Sequence, residues 1–488
     1  MEVSVHVIGV VSFLVREQAF LLKQFGSKLA QLRDLVEVRD SMVTKITVIG
    51  MGYVGIPCAA LLADVPGFLV TGLQRRSKRS GWKIEHLNAG KSPFEGDEPG
   101  LDELIAKVVA KGSFKATDDV DVLKDSDVIL IDVQTPTDEN HVPHYDSLKE
   151  VSKQIGERIK KGTLVIVEST VAPGTTHNVV QKIIEEQSGL KAGEDFHLAF
   201  AYERVMPGKL IHNIVHLPRI VGSITPEGGK RAVDLYSKIV RAKVHSTDVL
   251  TAEVSKTIEN AFRDVNIAFA NEMALVCESL GVNVYEVIEI VNQLDSRMMH
   301  IPGAGVGGHC LPKDTWLLRH GLNEYGSQKV EAKFISLARE INNFMPIHMA
   351  NLIQDALEKK GVRIEGARVT ILGIAYLENS DDTRNTPALA LIHALKERGA
   401  EVVLHDPYVQ DGDLGLPEIE RDIYAAAKGS DCLALVTKHR DYLDLDFSKL
   451  GEIMRTRIFV DGRNVYDEER LISLDFEYRA VGKVGPKN

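Results

Sequence analysis

The chain has only four cysteines in 488 residues, Cys58, Cys277, Cys310 and Cys432, widely spaced and without a CxxC pair. That excludes a disulfide-stapled scaffold. Because no histidine cluster stands at ligand spacing either, no zinc or other metal is expected. Thiols of this kind read as reduced, and the chain as cytoplasmic. No apolar run reaches the ~20 residues of a spanning helix, so no membrane is expected as a partner. Positive charge is short as well: 58 Lys and Arg against 69 Asp and Glu give a formal net charge of −11. This argues against a nucleic-acid partner, while a local basic patch could still hold one phosphate-bearing small molecule. The apolar stretch from Val3 to Val15 has no basic residue before it and does not read as an export signal. Residues 1–44 form an N-terminal extension of uncertain order. Within it 21–35 has apolar residues near helical spacing, and a gene start over-extended upstream of Met42 is the competing reading. A chain of this length exceeds one hydrophobic core; at ~150 residues per domain it should form about three units.

What is present begins at residue 45. Lys45 to Ile49 reads as a buried strand, followed at once by Gly50-Met51-Gly52-Tyr53-Val54-Gly55 and a small-residue helix through Ala59, Ala60 and Ala63. In that setting Gly50 permits a tight turn, Gly52 admits a pyrophosphate to the backbone, and Gly55 lets the helix pack on the strand. Tyr53 and Val54 complete the candidate cofactor turn. Further strand-like stretches at 68–73, 128–133, 163–167, 197–201 and 219–222 alternate with helical or polar segments, the pattern of a doubly wound parallel sheet. Where an acid normally takes the ribose hydroxyls of NAD stands Gln74, followed by Arg75, Arg76, Lys78 and Arg79. Arg79 is counted with Gln74 as a cofactor contact. NAD and NADP both stay open, because a missing carboxylate beside arginines suits a 2′-phosphate.

Three segments carry candidate chemistry. In PGAGVGGHCLPKD, residues 302–314, glycines at 303, 305, 307 and 308 flank Cys310 and are expected to clear space for a substrate at the sulfur. His309, Lys313 and Asp314 give this thiol a polar, partly cationic setting expected to favour thiolate, whereas Cys58, Cys277 and Cys432 sit in apolar sequence. A long helix is expected over 250–280. It puts Lys256, Asn260 and Arg263 on one face at i, i+4 and i+7, and that stripe is expected to line a cavity. Thr170 in ESTVAPGTT and Thr135 in QTPT follow strands, where an open parallel sheet places its ligand; helix capping is the plain alternative.

Jointly, GMGYVG, ESTVAPGTT, ERVMPG at Glu203 to Gly208, the Lys/Asn/Arg helix and GVGGHCLPKD resemble the UDP-glucose/GDP-mannose dehydrogenase family. ARVTILGIAY, DDTR, HDPY and FVDGRN look like that family's C-terminal nucleotide-binding domain. The resemblance implies an α/β chain with two Rossmann-like doubly wound domains joined by a long central helix and a helical dimerisation region. The units expected are 45–248, 249–360 and 361–480. It implies a four-electron oxidation of a primary alcohol to a carboxylate with two NAD(P). Cys310 would be the nucleophile, Lys256 the acid/base or oxyanion-stabilising group with Asn260 and Thr170, and Asp314 or Glu203 would activate water. The motifs look most like the branch acting on UDP-N-acetylhexosamines, particularly UDP-N-acetylmannosamine. There Arg204, Val205, Lys256, Asn260, Arg263, Gly307, Tyr376 and Arg384 match substrate contacts, and Arg297 matches a contact given across a homodimer. Gln74, Tyr202 and Leu377 depart from the pattern, where the family has Asp, Pro and Lys. UDP-N-acetylgalactosamine, UDP-N-acetylglucosamine, UDP-glucose and GDP-mannose are the alternative substrates. A two-electron hydroxyacid-type dehydrogenase and a non-catalytic nucleotide-sugar sensor are the competing functions.

Overall fold

The computed structural model describes residues 43–77, 80–94, 98–410, 415 and 418–483. The helix considered over 21–35 and the cofactor contact assigned to Arg79 lie outside the described residues.

The first unit is an eight-stranded sheet in the order β3-β2-β1-β4-β5-β6-β7-β8. Its strands are β1 (Thr44–Ile49), β2 (Phe68–Leu73), β3 (Phe114–Thr117), β4 (Val128–Ile131), β5 (Leu164–Val167), β6 (His197–Phe200), β7 (Arg219–Ser223) and β8 (Val244–Thr247). The central strands VILI and LVIV are buried at every residue, as a parallel sheet covered on both faces requires. The sheet is not wholly parallel. β7 starts beyond the end of β6 and runs back along it, pairing Ala199 with Ser223 in antiparallel register. β3 and β8 add two strands that the sequence pattern did not show. β8, Val-His-Ser-Thr, is an edge strand with no fully buried residue, so it carries no apolar run.

After β8 the chain enters a 32-residue helix, Val249–Leu280. At 1.5 Å per residue it spans ~48 Å. Asp248 caps its start, accepting from the Thr251 amide at 2.9 Å, and Gly281 ends it at φ 76°. With Gly55–Asp64 after the glycine turn as α1, this long helix is α2, and Leu311–Tyr325 and Lys333–Lys359 are α3 and α4. Ala274 and Cys277 of α2 and Met345, Met349 and Ile353 of α4 share one core with the second sheet.

That second sheet has six strands, all parallel, in the order β11-β10-β9-β12-β13-β14. They are β9 (Arg368–Leu372), β10 (Glu401–His405), β11 (Ile419–Glu420), β12 (Cys432–Leu435), β13 (Ile458–Asp461) and β14 (Glu477–Ala480). The fold is therefore the expected pair of Rossmann-like units with a long helix between them. Among the described residues no helix is long and apolar enough to cross a membrane.

Candidate active site

The turn between β1 and α1 has the form a dinucleotide needs. Gly50 stands at φ +105°, and a Cβ there would lie 2.4 Å from the Asp132 carbonyl oxygen. A Cβ on Gly55 would lie 2.0 Å from the Gly50 carbonyl oxygen, so the helix can start this close to the strand only on glycine. A Cβ on Gly52 would meet nothing within 4 Å. This open cradle at the start of α1, where amides converge, fits a pyrophosphate. Val54 caps α1, and Tyr53 stacks on Phe94 with centroids 4.4 Å apart. The Gln74 amide oxygen accepts from the Met51 amide at 3.0 Å, which turns this side chain onto the glycine loop. Arg76 is bound by two carboxylates, Asp118 and Glu85, each at 2.8 Å.

Across the carboxyl ends of the strands, α2 and α3 bring the predicted reactive groups together. Lys256, 5 % exposed, donates to the Glu203 carbonyl at 2.9 Å and stands 3.9 Å from the Glu203 carboxylate. Burial pulls the pKa of this ammonium down, but the negative charges of Glu203, Cys310, Asp314 and Glu259 outweigh it and hold the group above the usual lysine value. Asn260 donates to Asp314 at 2.6 Å, and the other Asp314 oxygen lies 3.5 Å from Lys313 Nζ. Lys313 reaches back to the Thr135 hydroxyl at 3.2 Å, and Thr135 donates to the Thr170 carbonyl at 2.6 Å. Thr135, Thr170, Lys313, Asp314, Asn260 and Lys256 thus form one continuous wall. Lys313 was counted only as part of the cysteine's setting; its place after Cys-Leu-Pro at the first turn of α3 was the available signal. The turn after Thr170 is held by buried Glu253 of α2, which accepts from the Gly174 and Thr176 amides at 2.6 and 2.8 Å. Sequence spacing gave no sign of that role.

Cys310 caps the start of α3 and is solvent-accessible, whereas the other three cysteines are buried. Two expectations about it are corrected. The thiol is pushed up, not down: burial within the cleft is the largest cause, and Asp314 and Glu203 raise it further against the opposing Lys256 and Lys313. His309 gives no cationic help, since burial and the nearby Lys313 and Arg384 charges lower it to about 4. Nor do the loop glycines clear space for a ligand. A Cβ on Gly307 would come 2.5 Å from Tyr376 Cβ, on Gly308 2.8 Å from the Tyr376 ring, and on Gly305 2.9 Å from Pro387. They let the cysteine loop sit directly on the second sheet's unit. Its start is tied to α2 and α4, because the Gly303 amide donates to Asn271 and Asn271 donates in turn to Asn342.

The candidate substrate residues are only partly assembled. Arg204 is held by Glu259 and by the Pro218 carbonyl, and Val205 packs against the core of the first sheet while its amide bonds Glu203. Arg384 is paired with Asp382 and lies with its Cζ 5.3 Å from the Tyr53 ring centroid, joining the second unit to the cofactor turn. Tyr376 lies against Gly307 and Gly308. Leu377 lines a small cleft with Tyr53, Phe94, Pro207 and Asp381 where the two units meet. The α2 stripe does not line a cavity along its whole length: Lys256 and Asn260 face the site, while one turn on Arg263 is exposed. Arg297 is also exposed and bonded to Ser296, and among the described residues it reaches no other predicted site residue of its own chain.

Family models match three consecutive stretches: the UDP-glucose/GDP-mannose dehydrogenase NAD binding domain over residues 44–240, the central domain over 250–344 and the UDP binding domain over 370–468. The UDP-N-acetyl-D-mannosamine dehydrogenase of Pyrococcus horikoshii is 37% identical over 439 residues, covering 90% of this chain and 99% of its own. An enzyme of the same name from Campylobacter jejuni is 34% identical, covering 83% of this chain and 98% of its own. The crystal structure of NDP-N-acetyl-D-galactosaminuronic acid dehydrogenase from Methanosarcina mazei Go1 superposes with a TM-score of 0.82 at 42% identity, over 93% of this chain and 98% of that one. A cradle shaped for a dinucleotide, a solvent-accessible thiol facing a buried lysine, and this agreement along three domains place the chain in the UDP-glucose/GDP-mannose dehydrogenase family.

Proposed function

We propose that the protein oxidises the C6 alcohol of a UDP-N-acetylhexosamine, first of all UDP-N-acetylmannosamine, to the uronate, for glycan precursor synthesis. The observation that carries this reading is the accessible Cys310 thiol at the start of α3, opposite Lys256 and the Asn260–Asp314 pair. The names of the Pyrococcus and Campylobacter relatives support the choice of sugar.

Bound NAD supplies a two-electron acceptor, and two molecules are used per sugar. Gly50, Gly52, Tyr53, Val54, Gly55 and Gln74 would hold it, with Thr135 and Thr170 beside the reacting end. The first oxidation releases one proton, for which the Glu203 and Asp314 carboxylates are the nearby acceptors. Cys310 then gives its thiol proton to Asp314 or Glu203 and adds through sulfur to the aldehyde carbon, and the resulting oxyanion faces Lys256 and Asn260. Because its surroundings keep Lys256 protonated, we assign it to oxyanion stabilisation rather than to the base role. Loss of the second hydride leaves a thioester on Cys310. Water, activated by Asp314 or Glu203, cleaves the C–S bond, restores the thiol and releases the carboxylate. Arg204, Val205, Arg263, Gly307, Tyr376 and Arg384 would contact the nucleotide sugar. NAD is preferred to NADP in this reading, supported by the engagement of Arg76 with Asp118 and Glu85. A homodimer is supported by Ile258, Phe262, Phe269, Val276 and Leu280, exposed apolar residues along α2. In that dimer Arg297 would serve the partner's site. Buried free thiols at Cys58, Cys277 and Cys432 suit a cytoplasmic location.

The test is NADH counted per sugar consumed, over a panel of UDP-sugars with each cofactor. Two are expected from the wild type. Cys310→Ser is expected to retain the first oxidation and to lose about 10³-fold or more in uronate formation. Normal four-electron turnover by that variant, or one NADH per sugar in the wild type, overturns the covalent scheme.

A further inference from the structure

Tyr202 is 1 % exposed, and two cations lie near its ring. Lys256 Nζ lies 5.4 Å from the ring centroid and Arg204 Cζ 5.2 Å from the same centroid. The hydroxyl accepts from Arg204 Nη2 at 3.2 Å, and Phe200 backs the ring at a centroid distance of 6.2 Å. Among the described residues Lys256 makes one direct hydrogen bond, to the Glu203 carbonyl, which leaves further donor capacity on the ammonium. The electron-rich ring therefore supplies what the hydrogen bond does not: a neutral surface that attracts the ammonium without becoming a proton acceptor. Its hydroxyl meanwhile takes one hydrogen bond of the Arg204 fork, which Glu259 and the Pro218 carbonyl also hold.

We infer that Tyr202 is a positioning residue of this enzyme, its ring holding Lys256 in place and its hydroxyl, together with Glu259 and the Pro218 carbonyl, holding Arg204. The inference rests on the oxidation proposed above. The charged and titratable groups facing Lys256 are Glu203 beside Tyr202, Glu259 on its own helix, and Cys310 and Asp314 of α3. Tyr202 itself faces Glu259, so only a substitution that keeps the ring separates its part from that of the hydroxyl.

The experiment compares Tyr202→Leu with Tyr202→Phe in the full chain. Lys256 ionisation is read by trace acetic anhydride labelling at fixed pH, quantified by mass spectrometry relative to surface lysines, and KM and kcat are measured with UDP-N-acetylmannosamine. Loss of the ring should raise Lys256 labelling about threefold by lowering its pKa, and cut kcat about tenfold. Tyr202→Phe keeps the ring, so labelling should match the wild type while KM rises about fivefold through the loss of one hydrogen bond to Arg204. Wild-type labelling and wild-type KM in both variants, with only a lower unfolding temperature, overturn the inference and leave Tyr202 a core filler. If Tyr202→Leu does not fold, the KM rise in Tyr202→Phe decides the matter alone. A wild type that turns over no nucleotide sugar refutes the proposed function, and the labelling contrast then still decides the role of the ring.

Discussion

The two sheets of this chain repeat one device and use it oppositely. Each first strand ends on a glycine at positive φ, Gly50 at +105° and Gly373 at +88°. Each of these glycines donates its amide to the end of the next strand, Gly50 to Leu73 and Gly373 to His405. The residues that follow those acceptors are Gln74 and Asp406. Neutral Gln74 takes a single turn amide, that of Met51, and leaves the space over Gly52 empty. Asp406 fills its own turn: one carboxylate oxygen accepts from the Ile374 and Ala375 amides at 2.6 and 3.0 Å, the other from the Tyr408 and Val409 amides at 2.8 and 3.0 Å. His439 adds a further contact at 3.2 Å. The second unit thus carries its anion as part of the chain, whereas the first keeps amides free for one that arrives from solution. Topology alone does not make a dinucleotide site; the occupant of the first turn decides.

The sharpest way to break the comparison is at Gly55. Gly55→Ala forces a Cβ to 2.0 Å from backbone, so it should lower unfolding free energy by about 3 kcal/mol and abolish measurable NAD binding. Calorimetry and NAD titration check both. Gly52→Ala, which meets no protein atom, serves as the partner variant and should change affinity without changing stability.

Next comes the carboxylate. Asp406→Ala leaves the four amides without their acceptor and should cost about 3 kcal/mol in denaturant unfolding while NAD affinity holds. The same group predicts an acid limb. Burial pushes its pKa up, but the His439 and amide hydrogen bonds win and hold it at about 2. A carboxylate lowered on folding contributes stability above its unfolded value of about 4, roughly 2 kcal/mol here, which is lost as pH falls toward 2. An acid-unfolding curve unchanged by Asp406→Ala would remove the carboxylate from this role.

The smallest effect sharpens the contrast. Gln74→Asp gives the first unit the second unit's residue type. It should shift the NAD to NADP ratio of kcat/KM toward NAD by roughly fivefold, through the ribose hydroxyls. A shift toward NADP would contradict the part assigned to this position.

These contrasts also mark what the sequence could carry. The first glycine turn and its strand are local and were legible from spacing, as was a long helix over 250–280 against the Val249–Leu280 of α2, while the second sheet's unit was expected only through the family resemblance. The reversed direction of β7 was not, because direction depends on where a connection returns and leaves no periodic trace. The proximity of Cys310 to Lys256 followed from the family pattern. The charge balance at the thiol did not, since the Glu203 and Asp314 contributions depend on side chains brought together from distant segments. The loop glycines were read as room for a ligand because sequence shows an absent side chain but not what fills the gap. Tyr202 was visible only as an odd residue, and its two cations lie two and 54 positions away along the chain.

The seating of residues 303–308 on Tyr376 and Pro387 bears on recombination among relatives. A chimera that exchanges the second sheet's unit to change sugar preference would replace Tyr376 and Pro387, the residues on which Gly305, Gly307 and Gly308 are seated. The cysteine loop and the surface beneath it must therefore be inherited together, and the crossover point for such an exchange belongs before Pro302 rather than in the interval after α4.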